Sequence, residues 1–161
     1  MSLAIRVARP ADSGLIYSFV RELADYEKLA TEVVATERDI ASALFTSPPR
    51  IFCDIAEWNG EPAGFSIWFL NYSTFRGSHG IYVEDLFVRP AYRGRGIGKA
   101  LMARLAQRCV EEGWARFEWA VLNWNTPSIA FYRSIGATVM DEWKICRLSG
   151  QALQAFAREG T

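Results

Sequence analysis

Arg93, Gly94, Arg95, Gly96, Ile97, Gly98 and Lys99 place three glycines and three cations between an apolar run ending at Val88 and a helical repeat. A helix N-terminus carries unpaired N–H groups and a partial positive charge. Glycines let those N–H groups approach a ligand with no side chain in the way. A phosphate or diphosphate is the natural partner, and Arg93, Arg95 and Lys99 would add charge at its rim. Two phosphate motifs are excluded. The P-loop needs Ser or Thr after Gly-Lys, and this chain has Ala100; its first glycine would fall on Arg93. A dinucleotide fingerprint would need glycine at Lys99. The bland alternative is a glycine-rich turn with solvated charges. A strand before and an amphipathic helix after are the setting an anion cradle requires.

Other polar groups sit where chemistry is possible. Glu84 and Asp85 interrupt an apolar strand, and adjacent strand residues point to opposite faces. Only one can face a given site unless a β-bulge re-aims the backbone. Asn125, Ser128 and Tyr132 follow helical spacing i, i+3, i+7, so an amide, a hydroxyl and a phenol share one face. Core packing beside Phe131 is the other reading of Tyr132, and structural ion pairing is the other reading of Glu84 and Asp85. Tyr26 and Glu27 end the first helix as either a binding pair or a solvated terminus. Glu118 lies mid-strand in "RFEWAVL" and either attracts a cation or pairs with a nearby arginine. His79, the single histidine, reads as a surface residue of a loop.

Arg93-x-x-Gly96-x-Gly98, after a strand and opening a helix, resembles the acetyl-CoA signature of the GNAT acyltransferase superfamily. "RELADYEKL", "YVEDLFV", "YRGRGIG", "NWNTPSIAFYRSIGA" and "EWKICRL" resemble one branch of it. That branch is the spermidine/spermine (diamine) and thialysine acetyltransferases. The resemblance implies a GNAT-type fold and an N-acetyltransferase that uses acetyl-CoA and no metal. Its substrate would be the primary amine of a small molecule, a diamine, polyamine or lysine-like amine. By the same resemblance the N–H groups of residues 93–99 hold the CoA diphosphate. The backbone of Leu86, Phe87 and Val88 binds the pantetheine arm, and Asn125 and Ser128 contact CoA. Tyr132 protonates the departing thiolate. Glu84 acts through water as base and holds the amine, with Asp85 behind it, while Tyr26 and Glu27 bind the substrate chain. The branch is homodimeric, with sites near the subunit contact.

Acetyl transfer needs a neutral nitrogen, and a lysine-like amine of pKa near 10.4 is neutral in roughly one molecule in 2,500 at pH 7. A base must take the proton, an N–H near Leu86 would hold the oxyanion, and an acid must meet the thiolate. One departure concerns Arg76 and His79, which stand where the polyamine enzymes have an aromatic residue. A cation there would repel a polycation and could hold a substrate carboxylate. Two further readings are a protein-amine acetyltransferase and a non-catalytic acyl-CoA-binding module.

The elements that must carry these residues follow from periodicity. Strands are expected at 3–9, 50–57, 62–70, 81–88 and 115–122, with a final pair at 137–140 and 143–148. Asn59-Gly60 signals a hairpin, and NYSTFRGSHG reads as a polar loop. Helices are expected around 15–23, from Thr36 behind a Thr36/Asp39 capping box, from Ile97 to Gly113, after Thr126-Pro127, and from about 150. The order gives an α/β (α+β) fold with a central, mostly antiparallel mixed sheet flanked by helices.

The 161 residues suit a single domain. Equal numbers of acidic and basic residues, 18 each, argue against nucleic acid as a partner. No apolar run is long enough to span a membrane. Cys53, Cys109 and Cys146 show neither disulfide nor zinc spacing, so a cytoplasmic protein is expected.

Overall fold

Among the described residues five strands form one sheet, in the order of the chain. They are β1 (Leu3–Val7), β2 (Phe52–Trp58), β3 (Glu61–Ser73), β4 (Ser78–Val88) and β5 (Arg116–Trp119). β1 to β4 pair antiparallel, and β4 pairs parallel with β5. The sheet is therefore mixed and mostly antiparallel, as expected. These coordinates come from a computed structural model that describes residues 1–160.

The β2–β3 turn is Asn59-Gly60, with φ of 52° and 84°. Positive φ at both positions is what a right-twisted two-residue hairpin demands. The β3–β4 connection departs from expectation. Most of NYSTFRGSHG is ladder, with Tyr72 opposite His79 and Ser73 opposite Ser78. The polar composition suggested a loop, but backbone pairing is indifferent to polar side chains on an exposed face. His79 is thus a strand residue, its ring edge-on to Tyr72 at 5.0 Å.

Helices cover both faces. α1 (Ser13–Tyr26) and α2 (Glu37–Leu44) lie on one side. There Ile16, Phe19, Leu23 and Leu44 pack against Cys53, Ile55, Phe65, Ile67 and Phe87. The Phe19 and Phe65 rings stack at 5.0 Å, and burying each contributes about 2–3 kcal/mol. The expected capping box starts α2: Asp39 N–H donates to Thr36 Oγ1 at 3.2 Å, and Thr36 N–H to Asp39 Oδ2 at 2.8 Å. α3 (Ile97–Glu112) covers the other face through Ile97 and Leu101, against Ala56, Ala63, Leu86 and Val88. It supplies the crossover that a parallel β4–β5 pair requires. Gly64 permits the close β3–β4 approach beneath it, since a Cβ there would lie 2.5 Å from the Phe87 carbonyl oxygen.

The chain divides into two compact units, Met1–Leu122 and the segment from Asn123 on. The second holds α4 (Thr126–Ser134) and α5 (Gly150–Ala157). The strand expected over 115–122 is shorter, and the final pair at 137–140 and 143–148 does not form among the described residues. Alternation at Trp143 and Ile145 suggested a strand, yet a strand needs a ladder partner. Turn bonds take the local N–H groups instead, Asp141 to Val139 O at 3.1 Å and Trp143 to Met140 O at 3.2 Å. Among the described residues no helix is long and apolar enough to cross a membrane.

Candidate active site

β4 outruns its neighbour. The β4–β5 ladder ends at Val83 opposite Trp119, while β4 continues to Val88 along β3. Arg89 N–H donates to Ala63 O at 2.9 Å. In an antiparallel pair main-chain groups alternate sides, so Phe87 and Arg89 turn theirs towards β3. Leu86 and Val88 turn theirs the other way, to the edge β5 does not reach. Within the first unit this is an unpaired strand edge, the geometry that accepts an extended amide-bearing ligand.

That edge leads into the glycine turn. A 3-10 turn at Pro90–Tyr92 is followed by Gly94 and Gly96, with φ of 74° and 78°. Gly96 is the N-cap of α3, and the first helical bond is Ala100 N–H to Gly96 O at 2.9 Å. The N–H groups of Ile97, Gly98 and Lys99 precede that bond and have no helical acceptor. A Cβ on Gly94 or Gly96 would meet nothing within 4 Å. Glycine is required there for backbone conformation, and open space lies where an anion would approach. Arg95 reaches back over the Trp58 ring at 5.2 Å. Arg93 donates from Nε to Val88 O at 2.9 Å and lies over the Tyr26 ring at 4.6 Å. Its Nε is thus engaged on the strand while the side chain stays exposed.

The carboxylates meet where α1 approaches β4. The β3–β4 register slips between Ile67, opposite Asp85, and Trp68, opposite Val83. Glu84 is therefore the extra residue of a β-bulge, the device that adjacent carboxylates needed. Glu84 is exposed, and Asp85 is largely covered. Burial, then the charges of Glu84 and Glu27, push Asp85 up to about 7. Burial and then Glu84 raise Glu27, the C-cap residue of α1. Glu27, Glu84 and Asp85 thus form one electronegative group from two elements, suited to an ammonium ligand and to accepting a proton.

Two candidates lie apart from this group. Glu118 accepts from Arg116 Nε at 2.8 Å and from Asn71 Nδ2 at 3.1 Å, which decides between its two readings in favour of an arginine partner. Arg76 is exposed at the β3–β4 hairpin tip. From Ser78, where β4 begins, to Glu84 is roughly 20 Å at about 3.3 Å per residue, so Arg76 does not join the carboxylates of its own chain.

Comparison with known proteins places this chain in a family. The sequence matches the acetyltransferase (GNAT) family over residues 17–137. The chain belongs to the GNAT family. It is 35% identical to thialysine N-epsilon-acetyltransferase of Sus scrofa, over 97% of this chain and 98% of that one. It is 33% identical to L-ornithine N5-acetyltransferase NATA1 of Arabidopsis thaliana, over 94% of this chain and 86% of the other. An integron cassette protein from the mobile metagenome of V. cholerae superposes with a TM-score of 0.81 at 28% identity, over 98% and 99% of the two chains. The sheet and its flanking helices are accordingly the GNAT fold, and acetyl transfer to an amine is the reaction of this family.

The second unit of this GNAT protein carries α4. Asn125 is its N-cap, its Oδ1 accepting from Ser128 N–H at 3.4 Å. The i, i+3 pair that looked like two ligand contacts is thus bonded to itself at that oxygen. Tyr132 is half-buried, its ring 5.4 Å from Phe131. Sequence reasoning missed Arg89, which donates to Glu22 at 2.9 and 3.0 Å and to Pro62 O at 3.0 Å. Its partner Glu22 lies on another element, so no local pattern marks it. It also missed Asp54, buried opposite Ser66 and 3.4 Å from Arg104 Nε. An acid inside "FCDIA" was the available signal.

Proposed function

We propose that this GNAT protein transfers the acetyl group of acetyl-CoA to a primary amine of a small molecule. The acceptor class is a diamine, a polyamine or a basic amino acid. One observation carries the reading: Glu27, Glu84 and Asp85 gather at the root of an unpaired strand edge that runs into the glycine turn. The turn suits a diphosphate, the edge suits the amide groups of pantetheine, and the carboxylates suit a cation. The names of the relatives, L-ornithine and thialysine acetyltransferases, agree with that class.

In this reading the N–H groups of residues 94–99 hold the diphosphate, with Arg95 and Lys99 at the rim. Leu86 and Val88 align the pantetheine arm. Glu84 takes the ammonium proton through water, and Glu27, Asp85 and Tyr26 hold the rest of the substrate. The neutral nitrogen attacks the thioester carbonyl carbon, and Leu86 N–H stabilises the oxyanion. The C–S bond breaks as the amide forms, the thiolate takes the proton of the Tyr132 phenol, and the second proton of the attacking nitrogen leaves through water and restores that phenol. Tyr132 is assigned by its chemistry, and Asn125 and Ser128 are assigned to CoA beside it. Residues 1–161 act as one acetyltransferase domain, supported by a family match that runs past Leu122. A homodimer in a reducing compartment completes the proposal, supported by resemblance to the diamine branch and by three free cysteines.

The test is CoA thiol release from acetyl-CoA across ornithine, thialysine, lysine, spermidine and a lysine peptide. Small amines accelerate release well above hydrolysis, and the peptide does not. No acceleration by any amine, or preference for the peptide, contradicts the proposal.

A further inference from the structure

The glycine turn and the end of α1 are joined by the side chain of Arg93. Its Nε donates to Val88 O at 2.9 Å, on the edge that faces away from β3. Its guanidinium carbon lies 4.6 Å from the Tyr26 ring centre and 5.6 Å from that of Phe87. A planar guanidinium can donate in its plane while presenting its face to an aromatic ring, a geometry that a lysine ammonium lacks. Tyr26 is the last residue of α1, and Glu27 follows as its cap.

A second arginine shows what this contact does not do. Arg89 binds Glu22, lies 4.6 Å over Phe19 and donates to Pro62 O. It anchors the body of α1 to the end of β4. Losing Arg93 therefore leaves α1 docked, its last turn included through Leu23 and Ala24, and removes only the cation held against Tyr26 beside Glu27.

We infer that Arg93 is a positioning residue that ties the cofactor turn to the amine-binding carboxylate Glu27 through the Tyr26 ring. The inference rests on the acetyl-transfer reading above. In it, Arg93 is not a diphosphate ligand. Its removal loosens the Tyr26 ring and the neighbouring Glu27 and weakens amine binding, although Arg93 does not touch the amine. The cofactor cradle is built from main-chain groups and persists.

The experiment is a double-mutant cycle of Arg93→Ala and Tyr26→Leu. Amine KM and kcat are read at saturating acetyl-CoA, CoA Kd by calorimetry, and folding by thermal melts. Arg93→Ala raises amine KM about 5-fold, the size of one partly desolvated cation–ring contact. CoA Kd stays within about 3-fold. In the Tyr26→Leu background the same change adds nothing. In the Tyr26→Phe background, which keeps the ring, it has its full effect. Arg93→Lys, the gentler variant, falls between. Independent, multiplying effects overturn the inference, as does a loss confined to CoA Kd. If the unmodified protein shows no amine-dependent CoA release, the acetyl-transfer reading falls and this inference with it.

Discussion

Burial, and then the charge on Glu84 at the bulge of β4, raise the proton affinity of Glu27 at the end of α1. Two like charges held together across separate elements are unfavourable unless a cation joins them. In the proposed function the ammonium substrate is that cation. Replacing Glu84 by Gln removes the proposed base and one of the three charges. We expect kcat/KM for the amine to fall about 10²–10³-fold, with CoA affinity little changed. Steady-state kinetics and calorimetry check this, and a loss confined to CoA affinity would contradict it.

Asp85 gives the pH dependence a sign. Its native value of about 7 lies above the ordinary carboxylate value of 3.8. The native state thus holds the proton more tightly, and stability falls as pH rises from about 4 to 7. The full shift corresponds to on the order of 4 kcal/mol. Asp85→Asn cannot ionise, so it matches the parent's melting temperature near pH 4 and exceeds it at pH 8.5. Parallel melting curves across that range would refute the assignment.

The glycines of the turn separate conformation from ligand contact. Gly94→Ala and Gly96→Ala force a side chain into left-handed φ and cost about 1 kcal/mol each. Gly98 has ordinary φ, and a Cβ there would make a 3.8 Å contact with Val88 Cγ2. Gly98→Ala therefore keeps or slightly raises the melting temperature by helix propensity. All three weaken CoA binding about tenfold or more, because each alters the diphosphate cradle. A Gly98→Ala protein with unaltered CoA affinity would show that its N–H does not face the ligand.

Arg6 offers a test remote from the site. It binds Asp12 at 2.8 and 2.9 Å and Glu57 at 2.7 Å, which ties β1 to the start of α1. The Arg6 bond, then burial working against it, leave Asp12 below its usual value. That contribution is present above the ordinary carboxylate range and is lost as pH falls through the depressed native value. Arg6→Ala should cost about 1–2 kcal/mol at pH 7, with the difference closing at acid pH as Asp12 takes up its proton. Urea titration at both pH values measures it, with amine turnover kept.

The readable features were the local ones. Asn59-Gly60, the Thr36 cap and the strand–glycine–helix run from Leu86 to Leu105 each depend on residues a few positions apart. Adjacent Glu84 and Asp85 even posed the question that a bulge answers. The bulge itself depends on β3, and no pattern in "YVEDLFV" states it. The same holds for Glu27 beside Glu84 and for Arg89 on Glu22, which long-range packing brings together. Arg93 showed only its charge, whereas its bond to Val88 O and its place over the Tyr26 ring depend on the fold. The Trp143–Leu148 stretch misled because alternation reports a possible strand, not a partner to pair with.

The central claim is that main-chain N–H groups at residues 94–99 bind the diphosphate of CoA. Amide NMR spectra recorded with CoA and with pantetheine, which lacks the diphosphate, test it most directly. The account predicts that CoA shifts the amides of Gly94, Gly96, Ile97, Gly98 and Lys99 by amounts that pantetheine does not reproduce. Equal shifts with both ligands, or none at these residues with saturating CoA, would contradict it.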